Sequence, residues 1–482
     1  MIKNNYRISF VIFFLIVVIY RLYILKHSHV DLFFDEAYYW YWSLHPSFGY
    51  YSKPPMVAWA IYISTHLCGN TVFCIKLPAL IMHSLTAILI YLISFELFKS
   101  DKISFYSAVS YLTLPLVSFL SMAITTDAFL LFFWSLTLYF FIKSIKYNKT
   151  LYWILAGVSA GLGLLSKYNM LLFIVSAVLY LMTSEKNKNV LKNKKFYLSV
   201  VIAAIVYFPN FMWQIKHHFV SFMHTEDISE IDKKYLHFKH LIDFILSQFG
   251  VFGPIFFSVL IYLVVRPFIK DDRFKLLYAF TYVMLGVISL VALLGRAFAN
   301  WASPTYITGT ILVVVFLIIK RRETLLKTAI GINILLAVVF YHYHDIAKIL
   351  NIKLNAKNDP YKRVLGWQQL ADKIKPFVKH CPNCILLYDN RKIMSEMVYY
   401  LRDFKNKYAM FNPTHEYRDQ FDLDTNINQF KNKRFLYITD EKNINKIKRY
   451  FCHEKEIGTV EVKVYNNLIR RLNLYLLEKC KK

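Results

Sequence analysis

Long apolar runs separated by short polar breaks dominate the first two thirds of the chain. A helix needs about 17–25 mostly apolar residues to cross a bilayer. The runs predict spans at about 8–25, 77–97, 103–121, 124–142, 151–165, 168–183, 196–214, 248–265, 275–294, 303–319 and 327–343. The expectation is a polytopic α-helical membrane protein with eleven transmembrane helices. The run 8–25 sits where a secretory leader would, but no small-residue cleavage site follows and more spans come after, so it reads as a retained first helix.

Beyond residue 343 the pattern changes. "VLGWQQLADKIKPFV" is amphipathic at helical spacing, as are "IMSEMVYYLRD" and "EKNINKIKRYF". Between and after them "CILLYD", "YAMF", "RFLYIT", "TVEVKVY" and "LNLYLL" read as strands. Strands alternating with helices predict a mixed sheet with helices packed on it. The expected organisation is a membrane domain over 1–343, with its first outer loop at 26–76, and a C-terminal α/β domain over 344–482. No G-x-G-x-x-G follows a strand, so that domain lacks the signature of a dinucleotide site.

Charge orients these elements. With Lys3 and Arg7 inside, the loops 99–102, 143–150, 184–195, 266–274 and 320–326 also fall inside and collect about 20 Lys and Arg with their flanks, as the positive-inside bias requires. The stretch 26–76, the turn near Asp127, the loop 215–247, "GRAFANW" and the tail then share the outer face. In a bacterium that is the periplasmic side of the inner membrane. Net charge is +27, and the last 141 residues hold 28 Lys and Arg against 16 Asp and Glu. A basic surface beside a membrane favours anionic headgroups or phosphate-bearing substrates, by about 1 kcal/mol per basic residue. A chain embedded in a bilayer is a poor fit to nucleic acid. Six cysteines are too few for a disulfide framework in 482 residues.

Candidate chemistry gathers on that outer face. "DLFFDEAYYWYWSLHPSFGYYSKPP" (31–55) holds Asp35 and Glu36, a dense set of rings, and Lys53 before two prolines. The acids suit the first turn of an interfacial helix. They also suit a general base, since reduced solvation raises a carboxyl pKa. The rings fit an interfacial belt or a platform for a sugar, with Tyr38 and Tyr51 as substrate contacts. Lys53 reads as a snorkelling lysine or as a point charge aimed at a phosphate oxygen. Asp127, in "AITTDAFLLFFW", is an ionisable residue at the mouth of an apolar helix, a functional position by default or a helix cap competing with Thr125 and Thr126. Lys167 in "GLLSKYNMLLF" interrupts an apolar run. Arg296 in "GRAFANWASPTYI" lies beside Asn300 and Trp301, and its forked donors suit a phosphate; for Lys167 and Arg296 an interface anchor is the alternative.

Two further groups stand out. His217, His218, His224, His237 and His240 share the loop 215–247 with Glu226, Asp227, Glu230 and Asp232. No H-x-x-x-H spacing marks a metal site, so the loop is expected to be solvated and mobile, a possible lid. Cys381-Pro-Asn-Cys384 follows a helix and enters a strand, the reverse of a thioredoxin-type redox motif. It reads as a local disulfide or two thiols, and Cys68 with Cys74 is a second possible bridge.

Taken together, "FFDEAYYWYWSLHPSFGYYSKPPMVAW", "TTDAF", "RAFANWASPTYI" and "GWQQLADKI" resemble the family 39 glycosyltransferases, the group of protein O-mannosyltransferases and lipid A aminoarabinose transferases. The resemblance covers most of the membrane part, with a weaker echo in the tail. It implies a GT-C architecture whose first outer loop forms short helices on the membrane and carries a catalytic Asp. It implies a sugar donor linked to polyprenyl (undecaprenyl) phosphate, transfer at the periplasmic face and inversion at the anomeric carbon. By the match, Asp35 is the base and Glu36 its neighbour. Lys53 lies near the donor phosphate, with Arg296 and Lys167 as further phosphate ligands, and Asp127 is the acid of a later span. The aminoarabinose transferases carry an acid directly before this Lys-Pro, where the chain has Ser52, which argues against a metal role there and against aminoarabinose as the sugar. The lipid phosphate is already a good leaving group, so no cofactor or divalent metal is required. The expected acceptor is lipid A or lipopolysaccharide. The alternatives are protein O-glycosylation and a lipid-linked sugar flippase, the latter disfavoured because the polar candidates cluster at one face.

Overall fold

The computed structural model describes residues 5–479 except 29, 232–234, 415 and 431–432. Helix α1 (Tyr6–His27) is followed by two short helices, α2 (Phe34–Ser43) and α3 (Met56–Cys68). Next come α4 (Val72–Phe98), α5 (Asp101–Thr113), α6 (Pro115–Leu120), α7 (Thr126–Tyr147), α8 (Thr150–Leu164), α9 (Leu171–Thr183) and α10 (Lys194–Lys216). The helical part closes with α11 (Val220–Ser229), α12 (Phe238–Phe252), α13 (Pro254–Val265), α14 (Asp272–Leu294), α15 (Thr305–Ile319) and α16 (Glu323–Tyr341). Among these, α1, α4, α7, α10, α14 and α16 are long and apolar enough to cross a membrane. The shorter apolar helices α3, α8, α9, α13 and α15 accompany them. Ile16 and Ile19 on α1 are 60% and 62% exposed, the face that lipid covers. Arg21 pins the opposite face of α1 by donating to Leu112 O (2.6 Å), Ser118 Oγ (2.9 Å), Ser121 Oγ (3.3 Å) and Tyr341 Oη (3.0 Å).

Each expected span coincides with helix, and two of them are broken. Span 103–121 divides at Leu114, which is extended (ψ 137°) ahead of Pro115, because a residue preceding proline avoids helical backbone. Span 248–265 divides at Gly253, where φ is +90° and an added Cβ would collide with Asn333 Oδ1. Both conditions demand glycine, and Pro254 then starts α13. The closely spaced pair 151–165 and 168–183 stands as α8 and α9, with a 3₁₀ turn at Tyr168–Met170 making the tight reversal.

After α17 (Tyr343–Ile349) the tail folds as α18 (Trp367–His380), β1 (Ile385–Tyr388), α19 (Arg391–Tyr400), β2 (Tyr408–Met410), α20 (Gln420–Asp424), β3 (Arg434–Thr439), α21 (Asn445–Lys448), β4 (His453–Tyr465) and β5 (Leu468–Glu478). The sheet order is β2-β1-β3-β5-β4, parallel for β1 with β2 and with β3, antiparallel for β3/β5 and β4/β5. This is the mixed sheet that the alternation predicts. Disulfides join Cys68 to Cys74, between α3 and α4, and Cys381 to Cys384, at the turn from α18 into β1.

The rings of the first outer loop lie elsewhere than expected. Tyr38, Trp40, Tyr41 and Trp42 are buried inside protein rather than displayed to lipid or sugar. Trp40 meets Tyr399 edge-on (5.0 Å), and Tyr38 and Tyr41 both pack on Phe421 (5.1 and 4.5 Å). Tyr41 Oη donates to Asp424 Oδ2 (2.9 Å) and Leu32 N–H to Tyr400 Oη (2.9 Å). Asp31 Oδ2 accepts from the N–H groups of Trp367 and Gln368 at the start of α18 (2.9 and 3.3 Å). One apolar core therefore runs from Leu32 and Ala37 on the loop to Leu370, Met394 and Met397 in the tail. Burying a large apolar side chain contributes about 1.5–3 kcal/mol, so the ring-rich α2 is the adhesive that seats the α/β domain on the helical bundle.

Candidate active site

The site starts from the first turn of α2, where two adjacent acids take different places. Glu36 Oε2 accepts from Phe33 N–H (2.8 Å), the back-bond of a capping box. Its Oε1 accepts from Ile124 N–H (2.8 Å), and Lys76 Nζ stands 3.3 Å from Oε2. Both oxygens are thereby committed to fixing α2 against α4 and the entry to α7. Asp35, about 100° around the helix, faces the tail. Its side chain is 37% exposed, and Arg391 Nη2 faces it at 3.6 Å. Burial raises the Asp35 pKa, against the pull of Arg391 and then Lys53.

The rigid Pro54-Pro55 pair follows Lys53 and introduces α3. Among the described residues no carboxylate lies within ion-pair distance of the Lys53 ammonium. Burial first, then the neighbouring Lys167 charge, lowers its pKa to about 8, with Asp127 and Asp35 opposing the shift. Asp127 itself, in the first turn of α7, is buried and fully engaged. It accepts from Lys167 Nζ (2.8 Å) and Ser303 Oγ (3.1 Å) on Oδ1 and from Asn300 Nδ2 (2.8 Å) on Oδ2. One carboxylate thus ties α7 to the α8–α9 turn and to the segment before α15. Tyr39 lies within electrostatic reach of both Asp35 and Asp127.

The structure brings Asp35, Lys53, Asp127, Lys167 and Asn300 together at one end of the bundle, with Glu36 immediately behind Asp35. Arg296 stands apart from them: half exposed, it pairs with Glu230 Oε1 (3.5 Å) and lies over the Phe298 ring (5.0 Å). Trp301 packs on Phe298 (5.4 Å), and its carbonyl accepts from Asn169 Nδ2 (3.2 Å). Tyr38 Oη accepts from Gln420 N–H, and Tyr51 N–H donates to Gln420 Oε1 (2.7 Å), so these two tyrosines hold the tail in place. Among the described residues no three His, Cys, Asp or Glu side chains converge as a metal set.

The expected mobile loop is instead partly helical. Ser221 of α11 is buried, donates to Tyr50 O (2.7 Å) and accepts from Gln214 Nε2 (2.8 Å). Polar anchors to α10 and the first loop supply the order that composition alone did not reveal. His224 faces the site, its ring 5.1 Å from Tyr51, and burial, then Lys53 and Arg391, lower its pKa to about 4. His217 stacks on Trp213 (3.9 Å) and His237 on His240 (5.1 Å), while Asp232 lies outside the described residues.

Sequence reasoning missed the tail's own contribution. Arg391 opens α19 directly after β1, with Asn390 capping the helix through Lys392 N–H (2.9 Å). The carboxyl end of a parallel strand is where α/β domains present ligand-binding residues, and that position was the available signal. Asp419, held up at a pKa of about 6 by burial and then by Asp422, adds a carboxyl near Arg391.

Residues 52–213 match the family described as dolichyl-phosphate-mannose-protein mannosyltransferase. The lipid A galacturonosyltransferase RgtD of Rhizobium johnstonii is 30% identical over 431 residues, 88% of this chain and 89% of that protein. The lipopolysaccharide core galacturonosyltransferase RgtA of the same organism is 25% identical over 202 residues, 42% of this chain and 40% of its own length. Among solved structures, apo ArnT from Cupriavidus metallidurans superposes with a TM-score of 0.65 at 13% identity, covering 99% of this chain and 98% of that one. ArnT bound to undecaprenyl phosphate gives 0.63 at 13% identity, covering 98% of each chain. At this identity the likeness is one of fold, and it extends over both the bundle and the tail.

Proposed function

The chain belongs to the family 39 glycosyltransferases, with their GT-C fold, and we propose that it moves a hexuronic sugar from a polyprenyl phosphate to lipid A at the periplasmic face of the bacterial inner membrane. The observation that carries this reading is that Asp35, a partly solvated carboxylate, lies within electrostatic reach of Lys53, a cation lacking an ion-pair partner among the described residues. Identity with a lipid A galacturonosyltransferase along nearly the whole of both chains supports the sugar class and the acceptor. The basic tail and the disulfides Cys68–Cys74, beside the outer loop, and Cys381–Cys384, within the tail, support an oxidising, anion-rich compartment.

The chemistry follows from the geometry. Asp35 takes the proton of the acceptor hydroxyl or amine as that atom attacks the anomeric carbon. The bond from the anomeric carbon to the phosphate oxygen breaks on the opposite side, and the lipid phosphate leaves with the electron pair, inverting the configuration. Lys53 meets the charge that develops on the departing phosphate. Lys167, neutralised by Asp127, sets the field around Lys53. Glu36 positions Asp35 through its hold on Ile124 and Phe33. Asp35→Asn, expressed in membranes, should abolish the mass increment of one hexuronic acid on lipid A. Full transfer by the variant would sink the base assignment, and a sugar appearing on protein instead would favour O-glycosylation.

A further inference from the structure

Arg391 has the form of a ligand site that the bundle's own residues do not fill. Its guanidinium is held between the rings of Phe34 and Tyr38, with its central carbon 5.4 and 5.3 Å from their centroids. Flat ring faces fix the plane of the fork without using any of its donors. Among the described residues its side chain forms an ion pair, with Asp35 at 3.6 Å, and no hydrogen bond. The other carboxylate that acts on it, Asp419, has Oδ1 engaged by the N–H groups of Phe421 (2.8 Å) and Asp422 (3.1 Å) at the start of α20 and forms no ion pair with Arg391 among the described residues. A half-buried guanidinium with its donors free is built to take a planar anion with two oxygens.

Asp35 lies within electrostatic reach of two cations, Lys53 from the bundle and Arg391 from the tail. During transfer the anomeric carbon must lie beside Asp35, with its phosphate toward Lys53. The sugar ring then extends toward the second cation. A hexuronic sugar carries its carboxylate on C5, which shares the ring oxygen with the anomeric carbon, so the carboxylate lies close to the reacting centre, as Arg391 lies close to Asp35 at 3.6 Å, and the donor's two anionic groups can each meet a cation. We infer that Arg391 is a specificity-determining residue that binds the carboxylate of the transferred hexuronic sugar, which makes the C-terminal domain part of the donor site. This rests on the hexuronic reading of the donor given above.

The test compares polyprenyl-phosphate galacturonic acid with polyprenyl-phosphate galactose, each offered with lipid A. The intact protein should prefer the uronosyl donor in kcat/KM. Arg391→Gln should lower that preference by about 10- to 100-fold, the cost of losing a hydrogen bond to a charged group, and Arg391→Lys should restore part of it. An equal loss with both donors in both variants would overturn the assignment and leave Arg391 with a structural role. Retained preference in Arg391→Gln would also overturn it, while leaving the uronosyl reading of the protein intact. If the intact protein uses the galactosyl donor equally well, the uronosyl reading fails and the inference falls with it. Finally, if Arg391→Gln loses discrimination between phosphorylated and dephosphorylated lipid A while keeping its donor preference, the anion belongs to the acceptor and the assignment is wrong.

Discussion

Replacing Lys53 with Arg should remove the alkaline limb of the pH–rate profile. Burial and the adjacent Lys167 bring the Lys53 pKa down to about 8. Such a group is about 90% charged at pH 7, half charged at pH 8 and about 10% charged at pH 9. If only the ammonium form stabilises the leaving phosphate, kcat/KM of the native protein falls to about a tenth of its neutral value by pH 9, because kcat/KM follows the free enzyme. A bound phosphate beside Lys53 raises that pKa, so the limb in kcat lies at higher pH than the limb in kcat/KM. Arg stays charged throughout the range. Lys53→Arg should therefore show a flat alkaline side, at a lower plateau because a planar fork replaces a compact charge. Lys53→Gln should lose about 10²- to 10³-fold in kcat at neutral pH, the scale of one electrostatic contact to a developing charge, and the gap should narrow on the alkaline side. Initial rates of sugar transfer to lipid A in detergent micelles, measured from pH 6 to 9.5, read all three. A native kcat/KM that stays level through pH 9, or the same limb in Lys53→Arg, would refute the argument.

Asp127→Asn should destabilise the bundle by about 3–5 kcal/mol, since it strands the buried Lys167 ammonium; thermal unfolding in detergent should show the drop, whereas Asp35→Asn leaves the midpoint close to native. Glu396 on α19 is fully buried, and among the described residues neither of its oxygens has a hydrogen-bond partner. Burial first, then Asp31, raises its pKa well above 4.5. The folded state therefore holds this proton more tightly than the unfolded chain, so its contribution to stability is full below about pH 4.5 and is lost as pH rises through the folded-state value. Glu396→Gln should flatten that decline, and an unchanged pH dependence of the unfolding midpoint would refute the assignment.

What could be read from the chain, and what could not, divides along the range of the interactions. Spans follow from apolar length, and the two breaks follow from Pro115 and from Gly253-Pro254, all of them local features. The bringing together of Asp127 and Lys167 was foreseen only as a shared face, because the direct 2.8 Å pairing depends on how α7 packs against α8. The forked donors of Arg296 and its place in "RAFANW" suggest a phosphate ligand. In the fold, the 3₁₀ turn at Ala299–Ala302 carries Asn300 to Asp127, while Arg296 lies before that turn and leans toward Glu230. Arg391 lies 356 positions after Asp35, and no periodicity or spacing connects two residues so far apart.

The ring-rich loop explains why that distant contact is reliable. A carboxylate on a loop wanders, and a base has to sit within hydrogen-bond reach of the proton it takes. Here Glu36 ties the first turn of α2 to Ile124 and Lys76 in the bundle, while Tyr38, Trp40 and Tyr41 tie the rest of the helix to Phe421 and Tyr399 in the tail. Asp35 is held from both sides, and the Tyr38 ring that anchors the helix is also the surface on which Arg391 lies. In the proposed mechanism the aromatic residues therefore act one step away from the sugar: they fix the helix that carries Asp35, and they place Arg391 of the tail opposite it.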